Sequence, residues 1–249
     1  MSSPASQKTI AFFGATGGCG LSALRRAVAA GYTCIALCRT PAKLEAVFPE
    51  RPANLVLREG NAHDTKAVAG CLTHPADQGR LVDAVCFSIG GVLNMSSMTM
   101  SDPDVCKKGI AALLEALADL RATWGAAGHP LLAVVSTTGI SEHGRDVPMA
   151  MWPFYKFALH APHEDKKVAE QKLWACAERY VIVRPSLLVD GEKPDRKIRL
   201  HVEGPRGIEK KELGYTISRE DVGRWIFENL LSKADSPLEH EGKAVGLTW

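Results

Sequence analysis

The feature that most constrains the fold is a cluster of glycines between two apolar runs. The runs Thr9–Phe13 and Thr33–Cys38 have the length and composition of buried strands. The residues between them begin with "GATGGCG" and continue with helical periodicity. A strand, a glycine turn and a helix in this order predict that backbone N–H groups at the start of the helix bind a pyrophosphate. The candidate contacts are Gly14, Thr16, Gly17, Gly18, Cys19 and Gly20.

The same alternation of strand and helix continues along the chain. Further strand-length apolar runs are 54–57, 84–88, 131–136 and 180–184. Between most of them lie segments with helical periodicity, and one later helix is expected to start at an N-cap, Ser218, with Asp221 three residues on. Continuous apolar strands that alternate with helices predict the α/β class. We therefore expect a Rossmann-like, doubly wound parallel sheet whose ligand crevice lies at the carboxyl ends of the strands.

The length of 249 residues suits one domain. We expect residues 1–8 to be a flexible tail and 9–249 to form a single nucleotide-binding domain. The alternation fades after Pro185, and the segment 186–213 is rich in charge, Pro and Gly. This segment is predicted to be a small, irregular C-terminal lobe that covers the crevice and the substrate.

Composition narrows the possible partners. Thirty Lys+Arg against 28 Asp+Glu give a net charge of +2, which offers no general field for nucleic acid or a membrane surface. No apolar stretch approaches the ~20 residues of a membrane span. The seven cysteines show no metal-ligand spacing and most lie in apolar runs, which indicates reduced thiols in a cytoplasmic protein without a metal site. The expected partner is a small molecule.

The end of the second strand selects the form of the nucleotide. An acidic residue there normally bonds the 2′-hydroxyl of NAD, but this chain has Arg39, with Lys43 one turn into the next helix. A guanidinium at this place suits a 2′-phosphate. The sequence therefore predicts NADP(H) as the cofactor.

These pieces together resemble a known family. The chain is similar to the atypical short-chain dehydrogenases/reductases of the NAD(P)H-binding, NmrA-like type, which include biliverdin/flavin reductase-like proteins and fungal members. The matching segments run in family order from about residue 9 to 249: "GATGGCGLSALRRAVAAGY", "CRTPAKL", "REGNAHD", "VCFSIGG", "VVSTTGI", "KKVAE", "YVIVRP" and "ISREDVGRWI".

The resemblance implies further contacts to the cofactor. Asn61 and Ala62 stand where the family places a residue pair against the adenine, although an acid is commoner than Asn61. Ser88, Ile89 and Gly90 correspond to residues that line the ribose and nicotinamide side. Pro185 corresponds to a position beside the nicotinamide amide.

For catalysis, the resemblance implies that Ser136 or Thr137 bonds the substrate oxygen and that Lys166 binds the nicotinamide ribose. Short-chain reductases usually carry a Tyr four residues before this Lys, but Pro162 occupies that position. The proton would then come from Tyr155, His163 or water.

Three functions stay open. The first is an NADPH-dependent reductase of a small apolar carbonyl, enone or related metabolite, and this is the function we expect. The second is a non-catalytic NADP(H) sensor of the NmrA type, and the third is an isomerase or dehydratase on the same scaffold. Two segments, "GVLNMSSMTM" (91–100) and "PMAMWPFYKF" (148–157), could enclose an apolar substrate, while the second could instead form a homodimer surface.

Overall fold

The structure is a computed structural model that describes residues 7–91, 93–94, 99–100, 102–151 and 160–249. Its centre is a nine-stranded sheet with the order β13-β12-β15-β10-β9-β6-β1-β2-β3. In chain order these strands are β1 (Thr9–Phe13), β2 (Thr33–Cys38), β3 (Leu55–Glu59), β6 (Ala84–Phe87), β9 (Leu131–Val135), β10 (Arg179–Pro185), β12 (Arg199–Gly204), β13 (Gly207–Lys210) and β15 (Lys243–Thr248).

The sheet is parallel from β3 to β15, and β1 lies in its interior. β1 pairs with β2 on one side and with β6 on the other, both in parallel. The chain order therefore reverses at β1, which makes the carboxyl end of β1 the topological switch point of the sheet. Small two-stranded sheets are formed by β4 (Thr73–His74) with β5 (Asp77–Leu81), β7 (Leu93–Asn94) with β8 (Thr99–Met100), and β11 (Leu187–Val189) with β14 (Thr216–Ser218).

Helices cover both faces of the main sheet. They are α1 (Gly18–Ala29), α2 (Ala42–Val47), α3 (Thr65–Leu72), α4 (Val105–Trp124), α5 (His160–Trp174) and α6 (Arg219–Asn229), with short 3₁₀ turns at Met149–Met151 and Leu231–Lys233. Ile10 and Phe12 of β1 pack with α1 and α6, whereas Ala11 and Phe13 face α3, α4 and α5. Successive strand residues point to opposite faces, so both faces are buried and the doubly wound α/β fold is confirmed.

The start of α6 is determined by a side-chain hydrogen bond. At Ser218 the side-chain oxygen accepts a hydrogen bond of 2.9 Å from the backbone N–H of Asp221, which confirms the N-cap of α6. α2 begins at Ala42 with Pro41 as its N-cap. Within the described ranges, no helix is both long enough and apolar enough to cross a membrane.

The segment 186–213 is more regular than expected. Its strands β12 and β13 extend the main sheet, with β12 antiparallel to β15 and β13 antiparallel to β12. One charged residue of this segment, Glu203, is buried and accepts a hydrogen bond of 2.9 Å from Arg184, so its charge does not keep β12 out of the sheet. That the segment covers a substrate stays a prediction.

Candidate functional site

A crevice of about 740 Å³ opens at the carboxyl ends of the central strands, where ligands bind in doubly wound sheets. It brings together most residues that the sequence marked. Those that line it are Gly14, Thr16, Gly17, Gly18, Cys19, Arg39, Lys43, Asn61, Ala62, Ser88, Ile89, Gly90, Ser136, Thr137, Lys166 and Pro185. Of the predicted cofactor contacts, Gly20 alone is not part of this lining.

The glycine loop is shaped by close approach of the backbone. Gly14 has a φ of +83°, and a Cβ there would lie 2.7 Å from the backbone nitrogen of Ile89. At Gly20 a Cβ would lie 2.9 Å from the carbonyl oxygen of Gly14, so this glycine allows α1 to pack against the loop. At Gly17 a Cβ would meet nothing within 4 Å, because this residue faces open space. These features fit a loop that presents its backbone to a phosphate.

One end of the crevice carries two cations. Thr16, Arg39, Thr40 and Lys43 line an open recess of about 320 Å³. Arg39 and Lys43 are exposed, and neither has an acidic partner within ion-pair distance in the part of the chain that the structure describes. Two positive side chains without a counter-ion form a place suited to an anionic group.

The loop after β3 forms the next wall. The side-chain oxygen of Asn61 accepts a hydrogen bond of 3.1 Å from the backbone N–H of His63, which folds the loop into a turn. His63 also lines the crevice, and its Nε2 lies 3.2 Å from the carbonyl oxygen of Val105. Asp102 lies 3.9 Å from His63 Nδ1 and joins the lining. Sequence reasoning missed both residues, although His63 follows the marked pair directly.

The loop after β6 closes the crevice over the glycine turn. The backbone N–H of Ser88 donates to the carbonyl oxygen of Phe13 at 2.8 Å, and its hydroxyl donates to the carbonyl oxygen of Gly14 at 3.0 Å. Ile89 and Gly90 follow in the lining. The two strand ends are therefore tied together by hydrogen bonds, which holds the shape of the crevice without a ligand.

The opposite end of the crevice contains a lysine and two hydroxyl groups. Nζ of Lys166 donates a hydrogen bond of 3.1 Å to the carbonyl oxygen of Val135, the last residue of β9. Ser136 follows, and its Oγ is buried without a hydrogen-bond partner among the described residues. The hydroxyl of Thr137 donates a hydrogen bond of 3.1 Å to the carbonyl oxygen of Thr138. A buried hydroxyl that is left unpaired can bond a ligand oxygen.

Of the proposed proton donors, the described one, His163, does not join this group. His163 is buried in α5 and is not among the residues that line the crevice. Tyr155 lies outside the described residues, as do Met95, Met98 and the aromatic residues Trp152, Phe154 and Phe157. Their catalytic or pocket-forming roles stay predictions.

The crevice contains further residues that the sequence did not mark. Ser186, Leu187 and Leu188 line it from the segment after β10, and Arg219 lines it from the start of α6. Burial raises the pKa of the Cys19 thiol to about 12, while the nearby positive charges of Arg219 and Lys166 oppose this rise. Cys19 is therefore a neutral thiol at neutral pH and provides packing next to the glycine loop.

Known proteins are similar to this chain in sequence. The NAD(P)H-binding family matches residues 14–233 of the chain. A protein named reductase pytE, from Aspergillus terreus, is 43% identical and the match covers 98% of this chain and 99% of that protein. A protein named oxidase pynE, from Aspergillus niger, is 32% identical, with 91% and 94% covered.

Solved structures are similar in fold. A short-chain dehydrogenase/reductase of Veillonella parvula in complex with NADP superposes with a TM-score of 0.71 at 14% identity, covering 97% of this chain and 94% of that one. The anaerobilin reductase ChuY of Escherichia coli gives a TM-score of 0.65 at 20% identity, covering 96% of each chain. With the family match over most of its length and a relative this similar, the chain belongs to the NAD(P)H-binding family.

Proposed function

We propose that the protein is an NADP(H)-dependent oxidoreductase that reduces a small apolar carbonyl, enone or related metabolite. One observation carries this proposal. A single crevice joins the glycine loop, the cations Arg39 and Lys43, and Lys166 beside the hydroxyl of Ser136, and neither the two cations nor this hydroxyl has a partner among the described residues. A dinucleotide that spans the crevice would then place its nicotinamide next to groups able to bond a substrate oxygen.

The preference for NADP(H) follows from charge. A 2′-phosphate carries a negative charge that the 2′-hydroxyl of NAD lacks, and Arg39 and Lys43 would supply its counter-charge. Neither cation has to give up an acidic partner within the described residues, so binding the phosphate would break no ion pair there. The absence of an acid at the end of β2 also removes the usual partner of the NAD ribose.

The chemistry that we propose needs a residue that holds the ribose, a hydroxyl that bonds the substrate oxygen and a proton donor. When bound, the reduced nicotinamide supplies a hydride to the substrate. Lys166 would hold the nicotinamide ribose, and the hydroxyl of Ser136 or Thr137 would donate a hydrogen bond to the substrate oxygen as negative charge develops there. Because Pro162 stands where related reductases carry a Tyr, and His163 does not line the crevice, the proton would come from water or Tyr155.

The names of the relatives favour redox chemistry. The protein with 43% identity is called a reductase and the one with 32% identity an oxidase. Both names describe electron transfer, which is the reaction that a nicotinamide cofactor performs. We therefore rank an oxidoreductase above a sensor and above a non-redox enzyme.

One observation favours a second candidate, an NADP(H) sensor of the NmrA type. The Tyr position before Lys166 is a proline, and a reductase that loses its proton donor can lose about 10²–10⁴-fold in rate. A sensor needs the nucleotide crevice but not the donor. The sensor would bind NADP(H) tightly and turn over no substrate.

The deciding experiment measures NADPH oxidation with a panel of ketones, enones, quinones and flavins, alongside NADPH affinity by calorimetry. We expect turnover with at least one apolar carbonyl or enone. Ser136→Ala should then lower kcat about 10–100-fold and leave NADPH affinity unchanged, because the hydroxyl acts on the substrate. Tight NADPH binding without any turnover would support the sensor, and equal kcat in Ser136→Ala would exclude the assigned role of this hydroxyl.

A further inference from the structure

Arg219 is the first residue of α6 and belongs to the lining of the nucleotide crevice. Its side chain runs beside the glycine loop, because a Cβ placed on Gly18 would lie 3.6 Å from Arg219 Cδ. Arg219 also acts electrostatically on Cys19, inside the glycine motif, where its positive charge opposes the effect of burial on the pKa of that thiol. The guanidinium is therefore placed near the part of the crevice that the glycine loop forms.

The start of α6 is clamped onto α1. The hydroxyl of Ser22 donates a hydrogen bond of 2.8 Å to the carbonyl oxygen of Glu220. Gly223 packs so close to α1 that a Cβ would lie 2.5 Å from the carbonyl oxygen of Cys19. These contacts fix the start of α6 against α1. The backbone of Arg219 is therefore held at a constant distance from the glycine loop.

The glycine motif itself contains no basic side chain. Arg39 and Lys43 lie in the recess beside Thr16, and Lys166 lies at the end of β9. A bound dinucleotide carries negative charge on its pyrophosphate, which the backbone N–H groups of the loop bind without neutralising it. Arg219 is placed to supply that missing charge.

The present partner of Arg219 can be exchanged. Nη1 of Arg219 lies 2.7 Å from Oδ1 of Asp190, but the Asp190 side chain is 82% exposed. An ion pair with so exposed a carboxylate contributes little, since water competes for both groups. A phosphate in the crevice would offer Arg219 an acceptor that suits two parallel hydrogen bonds from the guanidinium.

We propose that Arg219 is a cofactor-binding residue that pairs with the pyrophosphate of the dinucleotide and exchanges Asp190 for it. The inference rests on the proposed binding of NADP(H) in this crevice and adds a contact from a part of the chain far from the glycine motif. Because NADP and NAD share the pyrophosphate, Arg219 contributes to the binding of both. Arg39 differs, since it contributes only where a 2′-phosphate is present.

The test is a set of affinities measured by calorimetry for wild type, Arg219→Ala, Arg39→Ala and Asp190→Asn. The probes are NADPH, NADH, ADP and adenosine 2′-monophosphate. Arg219→Ala should weaken NADPH, NADH and ADP by a similar factor, about ten-fold, and leave adenosine 2′-monophosphate unchanged. Arg39→Ala should weaken NADPH and adenosine 2′-monophosphate and spare ADP. Asp190→Asn should bind as tightly as wild type or more tightly.

Arg25→Ala is the matched control, because Arg25 is an exposed arginine of α1 that lies outside the crevice lining. It removes the same charge, so any general electrostatic effect will appear in it as well. Thermal melts without ligand check that each variant is folded. The inference is overturned if Arg219→Ala binds all four probes like Arg25→Ala. It is also overturned if Asp190→Asn loses as much affinity as Arg219→Ala, since the pair would then be only a structural contact. If wild type binds neither NADPH nor NADH, the proposed function fails together with this inference.

Discussion

Nζ of Lys166 lies 3.1 Å from the carbonyl oxygen of Val135, so a side chain of α5 reaches the carboxyl end of β9. The start of α4 helps to hold α5 in place, because the Asp165 carboxylate accepts hydrogen bonds of 2.8 and 2.9 Å from the backbone N–H groups of Cys106 and Lys107. Contacts with β9 and α4 therefore position Lys166. This arrangement keeps the lysine at the crevice although the tyrosine position is a proline.

Lys166→Ala tests the role of this lysine. We expect NADPH affinity to fall about ten-fold and turnover to fall further, because both the ribose contact and a positive charge near the reacting groups are lost. The neighbouring Lys167 is the control, since it points to Glu142 at 3.1 Å and pairs with it near the surface. Calorimetry and steady-state kinetics measure both effects. If Lys166→Ala and Lys167→Ala have equal NADPH affinity and equal turnover, Lys166 does not contribute to cofactor binding or catalysis.

Arg39→Ala tests the choice between the two nucleotides. The loss of a charge-assisted contact to the 2′-phosphate should weaken NADPH about ten- to a hundred-fold and leave NADH within about two-fold. Wild type should prefer NADPH, and the variant should have lost most of that preference. Arg25→Ala serves again as the control of equal charge. A wild type that binds NADPH and NADH equally would contradict the prediction.

Arg184 is predicted to be important for stability. It is 3% exposed and bonds Glu170 at 2.6 Å and Glu203 at 2.9 Å, so its removal leaves two buried carboxylates without a counter-ion. Arg184→Met should lower the free energy of unfolding by about 3–5 kcal/mol, measured by urea denaturation. Lys243→Ala, which removes an ion pair of 2.7 Å to the partly exposed Glu209, should cost at most about 1 kcal/mol. If both variants lose a similar free energy of unfolding, the buried ion pairs of Arg184 contribute no more to stability than an exposed one.

We expect the free energy of unfolding to depend on pH through His201. Burial lowers the pKa of His201 below its ordinary value of 6.5, although Asp146 and Glu203 oppose this shift. Its Nδ1 lies 3.4 Å from the backbone nitrogen of Glu212, which suits a neutral ring that accepts a hydrogen bond. The unfolded chain binds the proton more readily, so stability is full above pH 6.5 and is lost as pH falls through 6.5 toward the folded pKa.

The measurement is urea denaturation of wild type and His201→Gln at several values between about pH 7 and pH 5. The variant should lose less stability over this interval than wild type, because one titrating group has been removed. His240 has a pKa lowered by burial in the same way and contributes to the remaining slope. Equal slopes in the two proteins would exclude His201 as a source of the dependence.

The sequence by itself determined the strands near the glycine motif and the place of the crevice. Thr9–Phe13 and Thr33–Cys38 are strands over the predicted residues, and the crevice lies at the end of the first. These predictions succeeded because their signals are local. A run of apolar residues, a turn that needs glycine and the cation Arg39 after a strand can each be recognised from neighbours in the chain.

Only the tertiary structure decided which distant residues meet. Glu203 lies in a segment rich in charge, yet it is buried in β12, where Arg184 of β10 neutralises its carboxylate. Arg219 likewise gives no sign of belonging to the crevice until the packing of α6 on α1 brings it to the glycine loop. Burying a charge and completing a binding site both depend on partners far away in the chain, and no local pattern contains them.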